Sequence, residues 1–210
     1  NIPLTQVTYK GKPVIVEGGA IETNGKGTLI TSEECLMHPT IQVRNPNFTK
    51  EDYEAVFKEY LGITNVIWMG DGVEGDDTHG HIDDLCRFVN DDTIVTIVEL
   101  DKNDNNYKPL QENLKRIQDA KLENGKTPKI VQLPMPKRLD FDGLRLPASY
   151  ANFLILNTCV LVPTFNDSND RIALNILADC FPNREIIGIS AVDFIWGFGT
   201  LHCLSQQIPE

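Results

Sequence analysis

The sequence predicts an α/β fold of about three modules, each built as strand, turn, strand, helix and strand, arranged around a central site. Three observations predict it. Helix starts recur near Thr49, Tyr107 and Asn169, a spacing of about 60 residues. Two short apolar runs joined by turn residues precede each helix, and a third run follows it. Reactive or ionisable residues stand at the same place in each module, so packing of neighbouring modules is expected to bring them together on one axis.

The first module carries the most specific local signals. The segment TNGKG, with its Asn-Gly pair, predicts a hairpin turn between two strand-like runs. Thr49 is expected to cap the following helix, with Asp52 three residues further on, and Gly62 is expected to end it. The predicted elements are strands over 19–22 and 28–31, a helix over 49–61 and a short buried strand over 66–68.

The second and third modules repeat this order. Their hairpins are predicted at the turns NDD and NTC, and Ser168 or Asn169 is expected to cap the third helix. The predicted elements of the second module are strands over 85–89 and 93–100, a helix over 107–122 and a strand over 129–133. Those of the third are strands over 152–156 and 160–163, a helix ending at 181 and a strand over 185–189.

The composition is that of an ordinary globular protein that works in water. The 210 residues are 41% hydrophobic and 23% charged, enough to bury a sizeable core. The net charge is −11 without a basic stripe, which argues against a nucleic-acid partner and is compatible with a cationic substrate. No apolar run approaches the ~20 residues of a membrane span, and the first residues show no signal peptide. We therefore expect neither membrane nor nucleic acid among the partners.

The cysteines favour a reducing cytoplasm over a disulfide framework. There are five, an odd number, and none shows CxxC spacing. Three of them, Cys86, Cys159 and Cys180, lie in apolar runs and are expected to be small core residues, and Cys35 is the fourth. Cys203 differs, because it stands in the glycine-containing segment GFGTLHCLSQQ after the last predicted strand.

Four residues are candidates for catalysis. A thiolate at Cys203 would be a strong nucleophile if a base or a positive charge lowered its pKa. His81 could act as general acid and base, and Asp83 would share its face if the segment is extended. Glu17 adds a carboxylate beside two glycines. Glu17 precedes the first hairpin, His81 and Asp83 precede the second, and Cys203 follows the last strand of the third module. Residues 149–152 occupy the equivalent place at the start of the third module.

A metal centre is the competing interpretation of the histidine-rich segment. His79, His81 and Asp83 have H-x-H-x-D spacing, which could hold an ion. No second ligand cluster appears in the sequence, so no metal is predicted. His202 is adjacent to Cys203 and would point the other way in a strand, so a structural role is expected for it. Three further acids are expected to serve turns or to support the site: Asp76, Asp77 and Asp84.

The chain resembles the family of agmatine deiminases and bacterial-type peptidylarginine deiminases, of the guanidine-modifying pentein superfamily. The resemblance runs over nearly the whole chain and rests on five segments in order: VEGGAIETNGKGTLITSEECL, RNPNFTKED, GDDTHGHIDDLCRF, LPASYANFLI and GTLHCLSQQ. It implies a pentein-type α/β propeller with the site on its axis. It also implies a hydrolase that needs no metal or organic cofactor.

Carried over residue by residue, the resemblance makes Cys203 the nucleophile and His81 the general acid and base. It makes Glu17 and Asp83 the carboxylates that bind a small cationic guanidinium substrate. The implied reaction releases ammonia from agmatine to give N-carbamoylputrescine, through a covalent thiouronium on the cysteine. Arginine in peptides or another small guanidine is the alternative substrate. A Cys–His–Asp protease or acyltransferase, and a non-catalytic guanidinium or polyamine binder, are the competing function classes.

Two departures from the family pattern shape what we expect of the whole chain. The family's Arg-Asp-x-Gly-Pro-like segment, which precedes the EGG motif, is absent, and Phe198 stands where agmatine-type members read Gly-Gly-Gly. The resemblance implies five modules in a closed ring, whereas three and the start of a fourth are visible. We therefore expect residues 1–210 to be the carboxyl-terminal portion of one pentein catalytic domain, with a missing amino-terminal part as its partner and homo-oligomers possible.

Overall fold

A computed structural model describes residues 5–208. None of the helices in this range is long and apolar enough to cross a bilayer. The helices are α1 Glu33–Met37, α2 Lys50–Leu61, α3 Tyr107–Asp119 and α4 Asn169–Cys180. The strands are β1 Thr8–Tyr9, β2 Lys12–Pro13, β3 Glu22–Thr23, β4 Thr28–Ser32, β5 Asn65–Met69, β6 Cys86–Phe88, β7 Thr93–Val98, β8 Lys129–Pro134, β9 Asp140–Phe141, β10 Leu144–Arg145, β11 Leu154–Ile155, β12 Cys159–Thr164 and β13 Glu185–Ser190.

The fold is mixed α/β and is made of small separate sheets. Three sheets have three strands each, in the orders β3-β4-β5, β6-β7-β8 and β11-β12-β13. In each, a short antiparallel hairpin is followed by a helix and then by a strand parallel to the hairpin's second strand. The predicted order of elements is therefore present three times. Two further hairpins, β1-β2 and β9-β10, are two-stranded.

The first module follows its local signals closely. Thr49 caps α2 by accepting from the backbone N–H of Asp52, whose side chain accepts in turn from Thr49 N, which completes a capping box. Gly62 ends the helix at φ 70°, a left-handed conformation that glycine adopts without strain. The apolar face of α2 packs onto β4 through the buried side chains of Tyr53 and Phe57.

The structure differs from the predicted elements where side chains serve the site. The predicted strand over 19–22 is a 3₁₀ turn at Gly18–Ala20, and only Glu22–Thr23 pairs as a strand. The predicted strand over 152–156 is reduced to Leu154–Ile155, because Asn152 bonds to the turn at 200–203 instead. Helix α1, capped by Ser32, lies between the predicted strand over 28–31 and the predicted helix over 49–61, where no element was predicted.

Buried Arg87 connects the three modules. Its Nε donates to Oε2 of Glu22 in the first module at 2.9 Å, and a second guanidinium nitrogen donates to the carbonyl of Phe153 in the third at 2.7 Å. Its own strand, β6, belongs to the second module. A large apolar cluster spans all three modules, and a smaller one lies between α2 and β4. The modules therefore share an apolar core as well as the buried hydrogen bonds of Arg87.

Candidate active site

One cavity of about 300 Å³ is lined by all four predicted site residues, Glu17, His81, Asp83 and Cys203. They are separated widely in the sequence and come from loops at the ends of the modules. The structure therefore brings together the residues that the sequence singled out. Their catalytic and binding roles remain predictions.

The His81–Asp83 segment is not extended, so the condition under which the two side chains would share one face of a strand is not met. His81 precedes a 3₁₀ turn at Ile82–Asp84, and its ring Nδ1 lies 4.0 Å from Oδ1 of Asp83. Asp76 holds the loop before it, since Oδ2 accepts from the backbone N–H groups of Gly80 and His81 at 2.8 and 3.1 Å. The turn therefore directs both side chains into the cavity.

Asp83 is the buried carboxylate at the centre of the cavity. Its Oδ2 lies 2.7 Å from Nδ1 of His202, whose N–H donates, and 3.4 Å from the Cys203 sulfur. Burial opposes ionisation of this carboxyl, but the hydrogen bond and charge of His202 outweigh it and lower the pKa of Asp83. Its other oxygen, Oδ1, is buried without a partner. Asp83 thus offers one free oxygen.

His202 does not point away from the site, as its place beside Cys203 suggested. Residues 200–203 form a turn rather than a strand, so adjacent side chains need not face opposite ways. The His202 ring is buried against Asp83. No spacing signal links this pair, because its members are 119 positions apart in the sequence.

Glu17 is paired with an arginine that the sequence reasoning missed. Nε of Arg44 donates to Oε1 of Glu17 at 2.8 Å, while the rest of the buried guanidinium bonds to the backbone carbonyls of Cys35, Gln42 and Thr78. Oε2 of Glu17 is buried without a partner. Arg44 therefore fixes one oxygen and leaves the other to the cavity. The only sequence signal was its place in the segment RNPNFTKED.

The Cys203 sulfur packs closely among polar groups although the residue reaches solvent. The amide nitrogen of Asn152 donates to the sulfur at 2.9 Å, and the thiol faces Asp83. Loss of hydration and the nearby carboxylates of Asp84 and Asp83 raise the pKa of the Cys203 thiol. The thiol is therefore protonated while no cation is bound. Sequence reasoning placed Asn152 near the site but gave it no role.

Two glycines and one phenylalanine shape the cavity wall. A Cβ on Gly199 would lie 2.8 Å from Cβ of Cys203, so only glycine leaves room for the Cys203 side chain here. Phe198 has a left-handed backbone conformation, with φ 61°, whereas Gly197 and Gly199 do not. Phe198 therefore lines the cavity in a conformation that a glycine would adopt more readily.

Among the described residues, two groups have spacing suitable for metal ligands. One atom each of Glu17, Cys35 and His81 lie within 4.8 Å of one another, and the same holds for Asp83, Asp84 and Cys203. His79 belongs to neither group, and its ring lies 3.7 Å from a carboxylate oxygen of Glu34. The H-x-H-x-D spacing therefore does not form a ligand set. Burial raises the pKa of Cys35 to about 12.

The unpaired atoms of the cavity suit a planar cation. Over residues 5–208, four buried side-chain polar atoms lack a partner, and three of them belong to the site. They are Oε2 of Glu17, Oδ1 of Asp83 and Nε2 of His81. Buried polar atoms are normally hydrogen-bonded, so atoms left open in a cavity point to a ligand. Two of these are carboxylate acceptors, which match the N–H donors of a guanidinium.

Solved structures with the same fold carry closely related sequences. An agmatine deiminase of C. jejuni with substrate bound is 37% identical, with a TM-score of 0.82, over 90% of this chain and 54% of its own. An agmatine deiminase of Enterococcus faecalis is 34% identical, with a TM-score of 0.88, over 94% of this chain and 58% of its own. The fold and the sequence similarity place the chain in the guanidine-modifying pentein superfamily.

Within that superfamily, the chain belongs to the Porphyromonas-type peptidyl-arginine deiminase family, whose profile matches residues 2–209. A curated relative from Marinomonas sp. is 38% identical over 94% of this chain. Another from Legionella pneumophila is 35% identical over the whole of it. The chain spans 58% and 60%, respectively, of the lengths of these two relatives.

Proposed function

We propose that this site hydrolyses a guanidinium group and releases ammonia, with agmatine as substrate and N-carbamoylputrescine as product. The observation that carries the proposal is that Glu17 and Asp83 each keep one carboxylate oxygen without a hydrogen-bond partner and line one cavity with His81 and Cys203. An amide or ester substrate has no charge for these acids to match. A guanidinium matches them in both charge and geometry.

Substrate binding supplies the charge that the cysteine lacks. A guanidinium held between Glu17 and Asp83 brings a positive charge next to the Cys203 sulfur, which favours the thiolate over the thiol. The charge of Asp83, one of the carboxylates that raise the pKa of the free thiol, is then balanced by the bound cation. Substrate binding therefore favours the nucleophilic thiolate, whereas the empty site favours the thiol.

The reaction then proceeds in two halves. The thiolate of Cys203 attacks the central carbon, and the resulting tetrahedral adduct expels ammonia after His81 protonates the leaving nitrogen. This leaves a thiouronium bonded to the sulfur. His81 next removes a proton from a water molecule that attacks the same carbon, and the thiolate leaves as the carbon–sulfur bond breaks. The products are ammonia and a ureido compound.

Arginine in peptides is the second candidate substrate, because the family description names it. A protease-like mechanism fits less well, since the hydrogen-bond partners of the sulfur are Asn152 and Asp83 rather than an imidazole. Rates with agmatine, free arginine and a peptide ending in arginine would separate the substrates. A preference of more than tenfold for the peptide would replace agmatine as the substrate.

The central experiment compares the Cys203→Ser variant with the unsubstituted protein. Both are prepared as chains of the length of the relatives. Ammonia release from agmatine should be lost, whereas agmatine binding measured by calorimetry should persist. After incubation with a slowly hydrolysed guanidine, the peptide that contains Cys203 should gain the mass of that guanidine minus the mass of the ammonia released. Unchanged turnover in the serine variant would refute the mechanism, and an adduct on another residue would reassign the nucleophile.

We also propose that residues 1–210 are the carboxyl-terminal portion of one pentein catalytic domain, a propeller of five such modules that works in the cytoplasm. The three repeated sheets and the relatives' greater length support this. Large apolar side chains on the surface, such as Leu61 and Trp196, fit an unfinished ring or a homo-oligomer. The 210-residue chain alone should be inactive and should associate in sedimentation velocity runs. A fully active monomer would contradict this.

A further inference from the structure

Asn152 is a buried amide that holds the turn carrying Cys203. Its side chain has no solvent exposure, and its Oδ1 accepts three hydrogen bonds. They come from Oγ1 of Thr200 at 2.8 Å, the backbone N–H of His202 at 2.9 Å and that of Cys203 at 3.2 Å. No strand pairs with residues 200–203, so this one oxygen organises the turn.

Those three donors also determine which way the amide group faces. Only an oxygen can accept from them, so the Asn152 nitrogen must lie on the opposite side. There it donates to Oδ1 of Asp84 at 3.0 Å and to the Cys203 sulfur at 2.9 Å. A hydrogen bond to the ionised form of a group favours that form. The amide therefore stabilises a thiolate at Cys203.

The surroundings of Cys203 make such a donor valuable. The titratable side chains that line its cavity are Glu17, Asp77, His81, Asp83, Asp84 and His202. The carboxylates nearest the sulfur, Asp84 and Asp83, disfavour a thiolate. Burial and the charge of Asp83 raise the pKa of Asp84 well above its ordinary value, and Oδ1 of Asp84 accepts from the Asn152 amide at 3.0 Å. Asn152 therefore donates a hydrogen bond to the Cys203 sulfur whether or not a cation is bound.

We propose that Asn152 is a positioning residue for the nucleophile: its oxygen fixes the 200–203 turn, and its nitrogen both orients the Cys203 sulfur and favours its ionisation. The inference rests on the proposed function in one respect, that Cys203 is the reacting thiol. Its test does not require turnover, so the two proposals can fail separately.

Asn152→Asp is the variant to test, because it keeps the shape and the acceptor oxygen, removes the donor to sulfur and puts a carboxylate oxygen in its place. The three donors that converge on that oxygen favour the ionised carboxylate in the variant. The measurement is the rate at which iodoacetamide alkylates Cys203 at pH 8.5, followed by mass spectrometry of its peptide. Alkylation tracks the thiolate fraction, and we expect at least a tenfold loss, the equivalent of one pKa unit.

Asn113→Asp is the matched control. Asn113 is also a buried amide, but it bonds only to the backbone at Gly70 and Asp71 and does not line the cavity. Its substitution should leave the alkylation rate of Cys203 within twofold. If Asn152→Asp keeps its native circular dichroism and alkylates at the unsubstituted rate, the proposal is wrong. Equal losses in both variants would also refute it, since they would indicate general loosening.

A measurement on the unsubstituted side chain covers the case in which Asn152→Asp does not fold. Replacement of Cys203 with Ala removes the sulfur and leaves Asn152 in place. The side-chain amide resonance of Asn152 should then shift in a ¹⁵N–¹H spectrum, while that of Asn113 stays fixed. An Asn152 resonance that does not move would show that its amide is not bonded to the sulfur, and would overturn the proposal.

Discussion

At the scale of single residues, neighbouring glycines in the first module face very different surroundings. A Cβ added to Gly19 would lie 2.5 Å from Nδ1 of His81 and 3.0 Å from both carboxylate oxygens of Asp83. At Gly18 it would meet only the end of the Gln206 side chain, at 3.2 Å. The lack of a side chain at Gly19 therefore leaves room for the side chains of His81 and Asp83, whereas Gly18 borders neither of them.

Gly19→Ala should reduce kcat/KM for agmatine about 100-fold, because a displacement of roughly 1 Å in a reacting group has an effect of that order. Gly18→Ala should stay within about threefold, since the Gln206 side chain can move aside. Ammonia release measures both. Similar values for the two variants would show that His81 and Asp83 do not need their present positions.

His202 should control the pH dependence of substrate capture. Its hydrogen bond and charge lower the pKa of Asp83, so His202→Ala should raise that pKa, although His81 and Arg87 still oppose burial. Asp83 would then lose its charge at a higher pH on acidification, and the acidic limb of the kcat/KM profile should move to higher pH. His38→Ala, a change outside the cavity, is the control. An unmoved limb would mean that Asp83 does not titrate in capture.

At the scale of elements, two helices of equal length begin in different ways. Thr49 closes a capping box on α2. Ser168 occupies the same place before α4 but makes no capping bond. Instead, Oδ1 of Asp167 accepts from the N–H of Asn169 at 2.7 Å, the first residue of α4. A hydroxyl side chain at the same position therefore caps α2 but does not cap α4.

Thr49→Ala should lower the free energy of unfolding by about 1 kcal/mol, the usual cost of losing a side-chain cap. Ser168→Ala should change it by less than about 0.5 kcal/mol, as for other surface substitutions that break no bond. Urea denaturation followed by circular dichroism compares them. A larger effect at Ser168 would mean that the assigned caps are wrong.

At the scale of the whole molecule, the modules meet through buried polar contacts as well as through the apolar core. Arg87, in the second module, pairs with Glu22 in the first and bonds to a backbone carbonyl in the third. Its guanidinium also lies over the ring of Phe153, 5.0 Å from the centroid. One side chain therefore sets the relative positions of three sheets.

Arg87→Met should destabilise the protein by about 3–5 kcal/mol, because it leaves the Glu22 carboxylate and a carbonyl without their buried partner. Adding Glu22→Gln should recover part of that loss by removing the unpaired charge. Arg138→Met breaks an exposed pair with Asp140 and should cost less than about 1 kcal/mol. Denaturation midpoints measure all of these. A comparable cost for both arginines would exclude a connecting role for Arg87.

The sequence by itself determined the features that neighbouring residues specify. The Asn-Gly turn, the Thr49 cap and the apolar runs act over a few residues, and they yielded three modules in the correct order. The motif segments also singled out Glu17, His81, Asp83 and Cys203. Local signals could be read because their physical causes, backbone geometry and hydrogen bonding to the next turn, lie within the same segment.

Only the tertiary structure decided which side chains meet. Arg44 and Glu17 are 27 residues apart, Asn152 and Cys203 are 51 apart, and His202 and Asp83 are 119 apart. No spacing rule links such pairs, because their contact depends on how separate modules pack. Contacts of this kind also shortened the predicted strands at 19–22 and 152–156, which pair only from Glu22 and over Leu154–Ile155, since hydrogen bonds and close packing at the site replace those of a sheet.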